Sequence, residues 1–147
     1  MSRYILILLL TFIFYCSNSE DESNIFLNNF YFSECKGNNS LKKNSQNGQN
    51  FEIKFFNDTL HIKHIDAIFN CCVDSINLQY DLSIGSNINL LNIYEIEYAN
   101  NPCKCNCPID LDIKFVYLNV KATIINFFVK YYNSEDSILI YSDTLNF

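Results

Sequence analysis

Seven cysteines stand in a 147-residue chain that has only two histidines and no tryptophan, so the chemistry the sequence offers is mainly sulfur chemistry. Cys103, Cys105 and Cys107 alternate with Lys104 and Asn106, Cys71 and Cys72 are adjacent, and Cys35 and Cys16 stand apart. Three chemistries are open to such a set. In an oxidising compartment Cys35, Cys71, Cys72, Cys103, Cys105 and Cys107 would form three disulfides, and the sequence does not choose among the connectivities. As thiolates, Cys71, Cys72, Cys103, Cys105 and Cys107, with His64 adding a nitrogen, would hold zinc or copper(I), because soft metals favour sulfur ligands. A redox-active pair is the third chemistry, but the Cys-X-X-Cys helix entry that lowers a thiol pKa is missing. The spacing also lacks the two-plus-two knuckle of a structural zinc site, so disulfides with no cofactor are the expectation.

The remaining candidates are weaker. His64, five residues before Phe69, is expected as a hydrogen-bonded side chain at the edge of a β core. Asp110 and Asp112 share a strand face, but two carboxylates fall short of the oxygen shell calcium needs. Glu95 and Glu97 repeat that geometry and suggest a glycosidase-like acid–base pair, yet nothing else shapes a sugar-cleaving site, and alternation places both on a solvated face. No Gly-rich phosphate loop, Gly-X-Ser-X-Gly elbow or His-Glu-X-X-His helix occurs. No catalytic residue is expected, and a net charge of -6 argues against nucleic acid, whose phosphates need a basic face.

The elements that position these residues read as strands. Ser75–Leu82 puts Ile76, Leu78, Tyr80 and Leu82 on one face and polar residues on the other, the period of a half-buried strand. The same alternation sets Tyr94, Ile96 and Tyr98 against Glu95 and Glu97. Further strands are expected at Ile25–Phe32, Phe51–Phe56, Thr59–Phe69, Cys103–Phe115, Lys121–Tyr132 and Ser137–Tyr141, all rich in Ile, Phe, Tyr and Val. Within Cys103–Phe115 the three sulfurs would share the inward face with Ile109, Leu111, Ile113 and Phe115, making Cys105 a buried half-cystine. Cys71 and Cys72 can both reach that face only from an irregular segment. About eight short strands give an all-β, disulfide-stabilised antiparallel β-sandwich, one domain over 24–147 with a polar, flexible loop at 36–50.

Ahead of that domain, Arg3 precedes the uncharged run Tyr4–Tyr15, which has the order of a signal peptide over 1–15 and is too short to cross a bilayer. Removing Met1–Tyr15 takes away Arg3 alone and leaves nine basic against sixteen acidic residues, a charge of -7. Cys16 then begins Cys16-Ser17-Asn18-Ser19-Glu20-Asp21-Glu22, with 16–23 as an acidic tether. This junction resembles a bacterial lipoprotein signal, with Phe14-Tyr15 where that pattern has small residues. The resemblance implies lipid attachment at Cys16, which also accounts for the odd cysteine.

Leu60-His61-Ile62-Lys63-His64, Phe69-Asn70-Cys71-Cys72 and Cys103-Lys104-Cys105-Asn106-Cys107-Pro108-Ile109-Asp110-Leu111-Asp112 together make the chain resemble a group of uncharacterised Bacteroidota lipoproteins over roughly Phe51–Tyr132. Tyr117-Leu118-Asn119 stands where that group has a Pro-Gly turn. The resemblance implies a cell-envelope location, surface-exposed or periplasm-facing, and paired cysteines; it implies no biochemical activity. The expectation is a non-catalytic cell-envelope lipoprotein at the outer membrane, a structural or binding module anchored to the membrane by its lipid. The alternative is an envelope metal-binding protein using the cysteine cluster.

Overall fold

The computed structural model describes residues 24–36, 50–118 and 121–147. Most of the polar loop, the tether, the apolar N-terminal run and Cys16 therefore lie outside the described residues. Among the described residues the fold is all-β, with eight strands: β1 (Asn24–Phe32), β2 (Asn50–Phe56), β3 (Thr59–Asn70), β4 (Ser75–Ser83), β5 (Asn89–Tyr98), β6 (Asn106–Leu118), β7 (Thr123–Lys130) and β8 (Ile138–Leu145). They form two four-stranded sheets, sheet A in the order β1-β6-β3-β2 and sheet B in the order β4-β5-β7-β8. Pairing is antiparallel except between β5 and β7, which run parallel at the centre of sheet B.

Local chemistry explains the hairpins. Asn57 and Asp58 both take positive φ, 47° and 57°, which is what a two-residue primed turn needs to match the twist of β2 and β3. In the β4–β5 connection Gly85 passes so close to the Ile88 carbonyl that a Cβ there would clash with backbone.

Inward side chains of the two sheets make one core. Leu60, Ile62, Ile113, Phe115 and Tyr117 from sheet A meet Leu91, Ile93, Ile125 and Phe127 from sheet B, as expected when alternate residues of facing sheets interdigitate. Tyr117 is fully buried, and its hydroxyl is satisfied by the Asn89 amide at 2.8 Å and by Thr123 Oγ1. A second cluster, Ala67, Phe69, Ile76, Cys107, Ile109, Leu111 and Val129, fills the end of the sandwich beneath the cysteines.

Two expectations about facing are overturned. In β5 the inward residues are Leu91, Ile93, Glu95 and Glu97, while Tyr94 and Ile96 are half-buried and Tyr98 is exposed. Leu91 and Ile93 set the phase of the whole strand, and a rigid period of two carries both glutamates into the interior with them. Likewise β6 begins only at Asn106, so Cys103 and Cys105 precede the strand. Cys107 is buried at 2% exposure, Cys103 is half-buried and Cys105 is exposed. The reason is that each sulfur follows its disulfide partner, and those partners lie in different places.

Candidate functional site

At the cysteine end, β3 runs to Asn70 and a turn at Cys71-Cys72 leads towards β4, the irregular segment that adjacent cysteines require. The bridges are Cys35–Cys107, Cys71–Cys105 and Cys72–Cys103, with Cα–Cα separations of 5.7, 5.6 and 5.4 Å, all in the range a disulfide spans without moving backbone. Asn70 organises them. Its Oδ1 accepts from the Cys72 N–H at 2.9 Å and the Cys103 N–H at 3.0 Å, while its Nδ2 donates to the Cys103 carbonyl at 2.8 Å. The Cys71 N–H donates to the Cys105 carbonyl at 3.1 Å. The sulfurs of Cys35, Cys71 and Cys107 all lie within 4.8 Å of one another. His64 stands away from them: it pairs with Leu111, whereas Cys107 pairs with Phe69, which puts four residues of β6, roughly 13 Å, between the two positions.

His64 is not at an edge. It points from β3 into the sandwich at 0% exposure, stacks on Phe51 with ring centroids 4.3 Å apart, and its Nδ1 faces both Glu95 oxygens at 3.0 and 2.9 Å. Glu95 belongs to the other sheet, so the pair ties sheet A to sheet B. Burial pushes the Glu95 carboxyl above its ordinary pKa, and the hydrogen bond and charge of His64 pull it partly back. His64 Nε2 is buried with no hydrogen-bond partner among the described residues. Glu97 is held differently: its carboxylate accepts from the Asn70 N–H and, at 3.2 Å, from the Tyr132 N–H. That joins the end of β3 to the segment after β7. Burial and the two glutamates also raise the Tyr131 phenol above its ordinary value. These carboxylates are internal struts, shut off from any substrate.

The outer face of sheet A is open. Strand register sets Tyr31, Asp112, Lys63 and Glu52 in one row across all four strands, and Asn29, Lys114, His61 and Lys54 in the next. His61 Nε2 lies 2.9 Å from Asp112, and Lys63 and Lys114 each approach Asp112 to 4.0 Å. Lys54 faces Glu52 at 3.5 Å. At the end of the face a bulge between His64 and Ala67 holds Asp66 at a φ of 58°. Lys36 there bridges Asp66, at 2.8 Å, and Asp110. Burial alone would raise the Asp110 carboxyl, but Lys36 and the Asp66 N–H outweigh it and hold the pKa low. The same contacts, Asp110 first, raise that of Lys36. Asp110 and Asp112 are thus on an outward face, as expected, but ion-paired and half-buried.

A groove of about 420 Å³ lies over this face, lined by Tyr31, Glu52, Lys63, Ile65, Asp110 and Asp112 with neighbouring backbone. That volume is within the usual range for ligand pockets, and bulges recur beside binding sites. Sequence reasoning missed Tyr31, Glu52 and Lys63, since only the strand order brings β1 and β2 to opposite sides of β6 and β3. Comparison with protein families, curated proteins and solved structures finds no match.

Proposed function

We propose that this chain is an exported lipoprotein of the cell envelope, tethered to a membrane through Cys16, whose non-catalytic β-sandwich binds a ligand across the outer face of sheet A. One observation carries the reading: all six cysteines after Cys16 are paired, which leaves Cys16 alone among seven. Three bridges suit an oxidising compartment, and a lipid on Cys16 uses the odd thiol. The outer membrane, surface-exposed or facing the periplasm, is the location consistent with the acidic residues that follow it. The non-catalytic reading is supported by how the groups of the described sites are engaged: Glu95 and His64 are sealed inside against each other, and Lys36, Asp66, Asp110 and Asp112 are held in ion pairs on the outer face.

Cys16→Ser tests the tether. The variant should leave the membrane fraction, keep its thermal unfolding profile and lose labelling by a fatty-acid probe; a variant that stays membrane-bound refutes the proposal. The convergence of the Cys35, Cys71 and Cys107 sulfurs favours one second reading, a soft-metal thiolate site in the reduced protein. Free-thiol counting separates the two: with three bridges and a lipidated Cys16 no thiol reacts, whereas a metal-thiolate protein shows several after chelation.

A further inference from the structure

We infer that the groove over sheet A takes a neutral, polyhydroxylated ligand, a glycan chain, an inference that rests on reading this face as the binding face. The first argument is charge. The ion pairs of the face involve four lysines, Lys36, Lys54, Lys63 and Lys114, and four carboxylates, Glu52, Asp66, Asp110 and Asp112. They balance, on a chain that carries -6 overall. A face with no net charge draws neither phosphates nor polycations over a distance, and its excess negative charge is kept elsewhere on the molecule.

The second argument is geometry. Mutual pairing holds Asp112 among His61, Lys63 and Lys114, and Asp110 between Lys36 and the Asp66 N–H. These groups thus offer fixed donors and acceptors instead of mobile chain ends. Held polar groups that include both donors and acceptors suit hydroxyls, which donate and accept at once, and preorganisation lowers the ordering cost of binding. The third is the wall of the groove. Tyr31, 59% exposed, stands at one side of the polar rows, next to Asp112 in the strand register. An aromatic ring beside directional hydrogen-bonding groups recognises a ligand with an apolar C–H face and polar edges, which is the make-up of a sugar ring.

The test is affinity electrophoresis of the oxidised, folded protein through gels containing soluble neutral polysaccharides: a mixed-linkage glucan, a galactomannan and a xylan. Parallel gels contain anionic polygalacturonate or cationic chitosan. At least one neutral polymer should retard the protein, and retardation should survive roughly 0.5 M NaCl, at which surface charges are strongly screened. Tyr31→Ala should weaken it about three- to tenfold with unchanged thermal unfolding, as should Glu52→Ala, whereas Gln79→Ala on β4 should leave it unchanged. Retardation by a charged polymer alone, abolished by salt and reduced by Tyr31→Ala, overturns the neutral-ligand inference and leaves the binding face standing. No retardation in any gel overturns both. Retardation by a neutral polymer that Tyr31→Ala and Glu52→Ala do not change also overturns the inference, because the contact would lie elsewhere.

Discussion

Deleting the Cys35–Cys107 bridge should cost this protein more than deleting either of the others. The three bridges close sequence separations of 72, 34 and 31 residues. The bridges are nested and the other two remain in each variant, so Cys35–Cys107 closes a ring of about 40 residues through Cys71–Cys105, whereas either inner bridge closes one of about five residues through its neighbour; the chain-entropy relation, in which stabilisation grows with the logarithm of the closed loop, gives about 3.9 kcal/mol for Cys35–Cys107 and about 2 kcal/mol for each of the others at room temperature. Cys107 also packs with Ile109, Leu111 and Phe69 in the lower core, so Cys35→Ala/Cys107→Ala adds a small cavity cost of about 1 kcal/mol. The sum, about 5 kcal/mol, is a large part of an ordinary domain stability of about 5–15 kcal/mol. Urea titration of the wild type and of each paired-alanine variant measures it. The Cys35/Cys107 variant should show the lowest midpoint, and its dependence on urea should steepen because the freed unfolded chain exposes more surface. A loss under about 1.5 kcal/mol, or a larger loss from Cys71→Ala/Cys105→Ala, would refute the argument that loop closure sets the order.

Other consequences are equally direct. Burial raises the Glu95 carboxyl in the folded state, so its contribution is fully present below the ordinary carboxyl range and is lost as pH rises through the raised folded value. Glu95→Gln cannot ionise, and unfolding free energies measured from about pH 4 to about pH 8 should show the wild type falling relative to it; parallel curves contradict the assignment. Asn70→Ala removes three hydrogen bonds that hold the Cys72 and Cys103 backbones, and calorimetry should register a loss of about 2–4 kcal/mol. Tyr117→Phe leaves the Asn89 amide and Thr123 hydroxyl without their shared partner. It should cost about 1–2 kcal/mol by chemical denaturation while the near-ultraviolet spectrum of the core persists.

The sequence made some of this legible and not the rest. Alternation located β4 and the inward face of β6 from Cys107 onward, because each has one apolar and one polar side. It failed in β5, where Leu90, Tyr94 and Ile96 face outward and Leu91 and Ile93 inward, so both faces look apolar and a short window around the glutamates chose the wrong one. A buried glutamate becomes intelligible only with its partners, and His64 and Asn70 come from β3 while Tyr132 comes from the segment after β7. The alternating cysteines imitated a strand, while the bridges required Cys103 and Cys105 to meet a turn. The binding face could not be foreseen, since the row from Tyr31 to Glu52 exists only once β6 and β3 lie between β1 and β2.

Adjacent cysteines at Cys71-Cys72 set a problem of fidelity for the newly made chain. The native bridges Cys71–Cys105 and Cys72–Cys103 span 34 and 31 residues; the exchanged pair, Cys71–Cys103 and Cys72–Cys105, would span 32 and 33, from 103 less 71 and 105 less 72. The entropy of closing such loops differs by less than about 0.1 kcal/mol, so an unfolded chain oxidises to either set almost equally often. What distinguishes them is the backbone hydrogen bonding of Asn70, Cys72 and Cys103 and of Cys71 with Cys105, which exists only after β3 and β6 have paired. Correct oxidation must follow folding, and chains oxidised too early need a thiol–disulfide isomerase to recover.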